Sequence, residues 1–144
     1  MAAVILVIGF IGMIEAVSLT AGMMDHARRQ SLATQILNHE IEKLRFLSWS
    51  NGSTGINDLA AGPTTITIGN QFTTAIAASG ATYTLSRSVS DVVSGSLREV
   101  TFTVTWVVTT SRLKSDGSLF TRTYTRVGSA WFGKYGLNLT YQRS

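Results

Sequence analysis

The stretch Met1–Leu47 decides how this chain folds, and it reads MAAVILVIGFIGMIEAVSLTAGMM followed by DHARRQSLATQILNHEIEKLRFL. Neither part contains a proline, so one continuous helix can run through both. The first part is apolar apart from Glu15, and a small domain has no place for such a helix in its own core. We therefore expect residues 1–24 to be buried by something outside the domain.

Residues 25–47 have the spacing of an amphipathic helix that lies on a sheet. Apolar side chains recur every three to four positions and form a narrow stripe. Acid–base neighbours such as Glu40 with Lys43, and Glu42 with Arg45, suit the solvated side. The stripe consists of Ala33, Leu37, Ile41 and Leu44, widened by Leu32, Ile36 and Leu47.

The apolar start has three interpretations. A cleaved signal peptide needs a basic beginning, and no Lys or Arg precedes Arg28. A plain membrane anchor needs about 20 apolar residues, but a carboxylate at the depth of Glu15 is costly in lipid. The third interpretation is a helix held first in a membrane and later packed against copies of itself. Gly9 and Gly12 then make a weak point where the helix can bend or stretch, because glycine weakens helices.

The chain beyond residue 80 is patterned as strands. The clearest is LREVTFTVTWVV, residues 97–108, in which apolar residues alternate with polar ones. So regular an apolar face must be covered, and the helical stripe is the cover available. The predicted strand side of the core is Val100, Phe102, Val104 and Trp106.

Two further strands, ATYTLSRSVSD (81–91) and LFTRTYTRVG (119–128), most simply complete an antiparallel meander. The connection 49–80 contains two short β-like runs, Thr64–Ile68 and Phe72–Ala77, which predict a hairpin or a sheet edge. In the tail, residues 137–142 predict a last strand, or a segment docked on the sheet or on a neighbour.

The predicted fold is therefore α+β, a long N-terminal helix whose C-terminal half packs on an antiparallel sheet of about four strands. Residues 1–24 form its apolar extension and 25–144 its globular head. Within the head the expected parts are helix 25–48, connection 49–80, sheet 81–128 and tail 129–144.

The net charge of the 144 residues is +4, and all of the excess lies beyond residue 47, with eight bases against four acids. Those bases are scattered over the segments. A diffuse positive surface favours acidic partners in general, so nucleic acid is compatible with the charge but has no further support. Cysteine is absent, which excludes disulfides, thiolate metal sites and cysteine nucleophiles.

A search of the sequence for catalytic and cofactor motifs finds none. His26 and His39 lie thirteen residues apart on the predicted helix, with no acid pattern that would make a metal pair. The acids of the head fall on separate segments and match no calcium loop. There is no nucleophile elbow and no phosphate-binding loop. We predict no catalytic residues, no cofactor and no metal site.

Two segments resemble one protein family. MAAVILVIGFIGMIEA with QSLATQILNHEIEKLRFLSW resembles the N-terminal helix of type IV pilins and type II secretion pseudopilins. The ending EIEKLRFLSW, and REVTFTVTWVV with LFTRTYTRV, are similar to the minor pilin and pseudopilin branch. The resemblance covers residues 1–50 and 81–128, and it is not found in 51–80 or 129–144.

The start of the chain departs from the family pattern. Family members have a short basic leader ending in Gly, and the mature chain then begins with an aromatic residue, often methylated, with glutamate at its fifth position. None of these features is found around Met1, so the resemblance implies that Met1 is interior to the mature helix. Glu15 lies too far along to be that glutamate. It needs its own partner, either freed backbone amides or a base on an adjacent subunit.

The resemblance implies a structural role. The subunit would wait in the bacterial inner membrane until pilus or secretion machinery moves it into an extracellular filament or a periplasmic pseudopilus. Its partners would be copies of itself or other pilins, and the helix would lose regularity at Gly9–Gly12 in the filament. The predicted assembly residues are Val4, Ile5, Ile8, Gly9, Phe10, Ile11, Gly12, Ile14, Glu15, Val17 and Leu19.

Two alternatives stay open. One is a minor subunit that primes or caps a pilus or a type II secretion pseudopilus, which the strand motifs favour. The other is a membrane-anchored adhesion or binding module that acts as a single copy. An enzyme anchored by its N-terminus has no positive support in the sequence.

Overall fold

The structure is a computed structural model of the chain that describes residues 2–50 and 52–136. Side chains are described within these ranges except at residues 2–6, 8, 9, 12, 18, 19, 21, 111 and 112. The predicted last strand at 137–142 therefore lies outside the described residues.

Helix α1 runs without interruption from Ala2 to Arg45, so the two parts of the opening stretch are one element. The helix is continuous through Gly9 and Gly12 in the single chain. It stops two residues before Leu47, which is 37% exposed and leaves the stripe. Lys43 and Arg45 occupy its last turn, where positive charge complements the helix dipole.

Within the described residues, the sheet has four antiparallel strands in the order β1-β2-β3-β4. Each strand pairs with its neighbours in sequence, so the sheet is a plain meander. This confirms the predicted α+β fold of a long helix on an antiparallel sheet. The strands are β1 (Gly62–Ile66), β2 (Ala81–Val93), β3 (Leu97–Leu113) and β4 (Leu119–Gly133).

One short element differs from its prediction. The run Phe72–Ala77 was expected to be β-like and instead falls largely in a helix, α2, over Thr73–Ser79. Its sequence TTAIAAS is rich in alanine, the best helix former. Gly80, at φ 62°, ends the helix in the left-handed conformation and donates its N–H to the carbonyl of Ala77. The other run, Thr64–Ile68, overlaps β1.

The core lies between the second half of α1 and one face of the sheet. The period of the helix and the alternation of the strands bring their apolar residues together there. Ile41 is half-buried and packs against this core, and Gly128 of β4 leaves room for it. The predicted residues Ala33, Leu37, Leu44, Val100, Phe102, Val104 and Trp106 are all buried, joined by Leu32, Ile36, Ile56, Tyr83, Leu85, Val89 and Phe132.

Arg98 on β3 links the connection between α1 and β1 to the sheet by hydrogen bonds. Its guanidinium donates to the carbonyl oxygens of Ile56, Asn57 and Leu59 at 3.1, 2.8 and 2.9 Å. The same side chain bonds the carboxylate of Asp91 at 2.6 Å. This connection, which contains a short 3-10 helix over Ile56–Asp58, thereby gains partners for its backbone carbonyls.

Candidate functional site

The candidate site is the first half of α1, residues 2–25, which extends beyond the sheet. Every residue of this half whose side chain is described is exposed. In a single chain an exposed apolar side chain is ordinary, but a contiguous set marks an interaction surface. The large apolar side chains in the set are Val7, Phe10, Ile11, Met13, Ile14, Val17, Met23 and Met24, at 55–70% exposure.

These side chains are arranged on one broad side of the helix. With about 100° of rotation per residue, all of them except Met23 fall within an arc of roughly 160°. That arc is centred roughly a third of a turn away from the stripe that packs on the sheet. Among the side chains that the structure describes, the apolar ones in the first half of α1 therefore lie mostly on a different side from the stripe that packs on the sheet, where a second helix can reach them.

His26 marks the point where the helix meets the head. It is the first half-buried residue of α1 among those whose side chains are described, and its ring lies 4.8 Å from the ring of Tyr124. Tyr124 stacks on Trp106 at 5.5 Å, and Trp106 stacks on Tyr83 at 6.1 Å. A row of rings across three strands thus closes the core below the exposed half of the helix.

The contacts of Tyr83 tie this end of the sheet to α1. Its hydroxyl donates to the carbonyl oxygen of Arg29 at 3.4 Å. Burial raises the pKa of the Tyr83 phenol, and a hydrogen bond with Ser79 and the charge of Arg29 partly oppose that rise. Arg29 also donates from Nε to the carbonyl oxygen of Ser79 at 2.9 Å, which links α1 to the end of α2.

Glu15 lies outside the apolar arc, on the side of the helix that continues the sheet-facing stripe. The sheet does not extend that far, and Glu15 is exposed. The described residues provide it with no ion-pair partner. Glu15 is thus open to a group on another molecule, and the predicted partner of its carboxylate stays a prediction.

The predicted assembly residues divide into two sets in the structure. Phe10, Ile11, Ile14 and Val17 belong to the exposed apolar set. Val7, Met13, Met23 and Met24 were not predicted although they share the same apolar run. Helical spacing relative to Phe10 could have found Val7, Met13 and Met24. The side chains of Val4, Ile5, Ile8, Gly9, Gly12 and Leu19 lie outside the described residues.

A shallow groove of about 550 Å³ lies between α1 and α2. It is lined by Asp25, Arg28, Arg29 and Gln35 on one helix, and by small residues of α2 such as Ala78 on the other. The groove is open and combines one acid with two bases. Such a surface suits hydrogen bonding with a neighbouring chain better than enclosing a small molecule.

The two histidines are far from forming a metal site. His39 accepts or donates a hydrogen bond with Gln71 at 2.7 Å and meets the edge of Phe72, whereas His26 bonds Gln30. Within the described residues, no group of His, Asp and Glu side chains could hold a metal ion. In that same part of the chain, no helical segment combines the length and apolarity needed to cross a bilayer.

Comparison of the chain with protein-family models, with curated proteins and with solved structures gives no match.

Proposed function

We propose that this chain is a structural subunit that polymerises through the first half of α1 into an extracellular filament of the type IV pilus kind. The observation that carries the proposal is the contiguous set of exposed apolar side chains on a helix that leaves the head. Burying one such side chain contributes about 1.5–3 kcal/mol. Eight of them together contribute on the order of 10 kcal/mol, enough to hold subunits together without covalent links.

The extension of α1 beyond the sheet supports a helical bundle rather than a pair of heads. Because the exposed first half of α1 lies beyond the sheet, helices can pack together there while their heads stay outside. The polar outer face of the sheet, with the exposed Thr121, Thr123 and Thr125, would then meet solvent. Before assembly, the same apolar half would be held in the bacterial inner membrane.

A minor subunit that primes or caps a filament is the second candidate, because the Thr103–Trp106 motif resembles that branch of the family. The two candidates differ in copy number. A main subunit dominates sheared and purified surface filaments, whereas a minor subunit is present there at low copy. Quantitative mass spectrometry of the sheared filaments separates them.

The test of assembly uses charged substitutions on each half of the same helix. Phe10→Asp and Val17→Asp place a carboxylate in the apolar arc, and we expect both to abolish filaments. Asn38→Asp adds the same charge to an exposed position on the second half, and we expect filaments from it. Near-ultraviolet circular dichroism of the full chain in mild detergent should show a folded head in all three variants.

The proposal fails if Phe10→Asp and Val17→Asp both give filaments in normal number. A reconstruction of assembled filaments also tests whether α1 loses regularity at Gly9–Gly12 in the polymer. Continuous helix there in the filament would contradict that part of the proposal and leave polymerisation itself standing.

A further inference from the structure

The groove between α1 and α2 lies on the same side of α1 as a row of exposed apolar residues. Phe10, Val17 and Met24 are exposed and follow one another at steps of seven residues. Arg28 and Gln35 extend the row by steps of four and seven, and both line the groove. Positions at such steps share one side of a helix. A helix that packs along this row of the first half therefore continues into the groove.

The groove has an open positive charge, and the first half of α1 has an open negative one. Arg28 and Glu15 are both exposed, and neither has an ion-pair partner among the described residues. Arg29 is half-buried and already donates from Nε to the carbonyl oxygen of Ser79 at 2.9 Å. Two bases face one acid, Asp25, in the groove. The groove therefore favours an acidic residue from outside.

Glu15 and Arg28 are placed to pair between copies of the chain. They are thirteen residues apart in sequence, which separates them by about 20 Å along the helix axis and about 140° around it. The pair cannot form within one chain at that separation. A two-fold pair of helices would need both residues on one side of α1. Contact between two different patches instead repeats head to tail and builds an open helical filament.

The exposed apolar residues next to this pair match at the same offset. Ile11 lies four residues before Glu15, and Met24 lies four residues before Arg28. Two parallel helices shifted by thirteen residues thus place Ile11 of one copy opposite Met24 of the other. Both side chains are exposed in the single chain, so their contact buries apolar surface from both copies.

The other flank of the pair provides space for close packing. Gly22 lies seven residues after Glu15, and Gln35 lies seven residues after Arg28, so the same shift places them opposite each other. A Cβ atom at Gly22 would meet nothing within 4 Å, and the α2 side of the groove offers small residues such as Ala78. Small residues let two helices approach closely. One shift therefore matches apolar residues, charges and size.

We propose that the groove between α1 and α2 binds the first half of α1 of a second copy, parallel and shifted by thirteen residues, with Glu15 of that copy paired to Arg28. This inference rests on the proposed polymerisation through α1. It adds the register of the contact, an axial shift of about 20 Å between neighbouring copies. It also makes α2 part of the assembly surface.

Cross-linking of intact filaments tests the register, and because the chain has no cysteine every thiol is an introduced one. Ile11→Cys with Met24→Cys leaves Glu15 and Arg28 in place. A short bismaleimide reagent should give a covalent ladder beyond the dimer, because each copy would be linked to one neighbour through residue 11 and to another through residue 24.

The matched control combines Ile11→Cys with Thr34→Cys, which moves the second thiol to an exposed position outside the groove. It should give at least roughly tenfold less ladder, because thiols out of reach of each other lose their high effective concentration. Equal ladders from the two pairs, or a product that stops at the dimer for the first pair, would overturn the proposal.

Reversal of the two charges tests the ion pair. Arg28→Glu and Glu15→Arg each set like charges opposite one another, and each should lower the yield of sheared filaments at least roughly tenfold. The double variant restores an opposite pair and should recover the yield. Near-ultraviolet circular dichroism of the full chain in mild detergent should show a folded head in all three.

Phe10→Asp, assayed beside them, separates this inference from the proposed function. Normal yield from Arg28→Glu, or no recovery in the double variant, would overturn the pairing if Phe10→Asp abolishes filaments, and polymerisation through α1 would stand. Normal filaments from Phe10→Asp as well would remove polymerisation through α1, and the groove contact with it.

Discussion

The two halves of α1 both carry large apolar residues, but these residues have opposite surroundings. In the second half, residues 26–45, the apolar side chains are buried against β3 and β4; Leu37 is 5% exposed. In the first half, Ile11 is 55% exposed. One helix therefore contains a segment stabilised by its own domain and a segment that another molecule must stabilise.

The difference comes from what accompanies the apolar residues. The second half alternates its stripe with charged residues such as Glu42 and Arg45, paired at 2.8 Å, so only one side of the helix is apolar. The first half is more densely apolar and carries only two charges, Glu15 and Asp25. A stripe bordered by charged residues suits one sheet face, whereas a helix with few charges suits contact with several helices at once.

The largest expected difference between the halves is in the stability lost when a large apolar side chain is replaced by alanine. Leu37→Ala removes buried methyl groups and leaves a cavity, so we expect the free energy of unfolding to fall by about 2–5 kcal/mol. Ile11→Ala removes a similar side chain from an exposed position and should change it by less than about 0.5 kcal/mol. Urea unfolding of the unassembled full chain in mild detergent measures both. A similar loss in the two variants would show that the first half also packs on the head.

The acids of the two halves give the next contrast. Glu40 is 5% exposed, and its ion-pair partner Lys43 lies 3.9 Å away and is itself largely solvated. Replacing a weakly paired buried charge by an apolar side chain is often stabilising, so Glu40→Met should raise the free energy of unfolding by about 1 kcal/mol. The matched change Glu15→Met should leave it unchanged in the same urea titration. A lower free energy of unfolding in Glu40→Met would mean that this carboxylate stabilises the folded head.

The pattern of single residues was enough to predict most of the fold. Strict alternation from Val100 to Trp106 has one structural interpretation, because every second side chain of a strand points to the same face. The stripe beginning at Ala33 also has one structural interpretation, because the spacing of its apolar residues matches the period of a helix. Each predicted core residue could be placed from its own segment, without knowledge of distant contacts.

What the sequence could not predict depends on contacts between segments. Thr73–Ser79 is too short for a periodicity to be read, and alanine propensity competes there with a β-branched Ile76. Arg98 can donate hydrogen bonds to three carbonyl groups only because residues 56–59 lie beside β3. The row of rings from Tyr83 to Tyr124 likewise depends on strand register. For the candidate site, the sequence indicated that residues 1–24 need a partner, and the structure added the point, at His26, where the helix meets the head.

Two glycines give a smaller test of where the head ends. A methyl group added at Gly128 would meet Ile41 Cδ1 at 3.5 Å and Leu37 Cδ1 at 3.7 Å, which is ordinary contact. Gly128→Ala should therefore stabilise the head by about 0.5 kcal/mol, because alanine restricts the unfolded chain. Gly22→Ala favours the helix locally but meets nothing within 4 Å. We expect it to slow amide exchange near residue 22 and to leave the urea midpoint of the head unchanged; a shifted midpoint would extend the cooperative unit into the first half.

The smallest expected effect concerns Tyr83, whose hydroxyl links the sheet to the second half of α1 by a hydrogen bond to the carbonyl oxygen of Arg29. Burial raises the pKa of this phenol, so the folded head holds the proton more tightly than the unfolded chain does. Its contribution to stability is complete below the ordinary tyrosine pKa of about 10, and it is lost as pH rises through the higher pKa of the folded state. Tyr83→Phe should flatten the loss of stability above pH of about 10, measured by urea unfolding across that range. Tyr135→Phe removes a phenol that is 76% exposed and should leave the loss of stability at high pH in place. If stability depends on pH equally in the two variants, Tyr83 is not the cause of the alkaline sensitivity of the head.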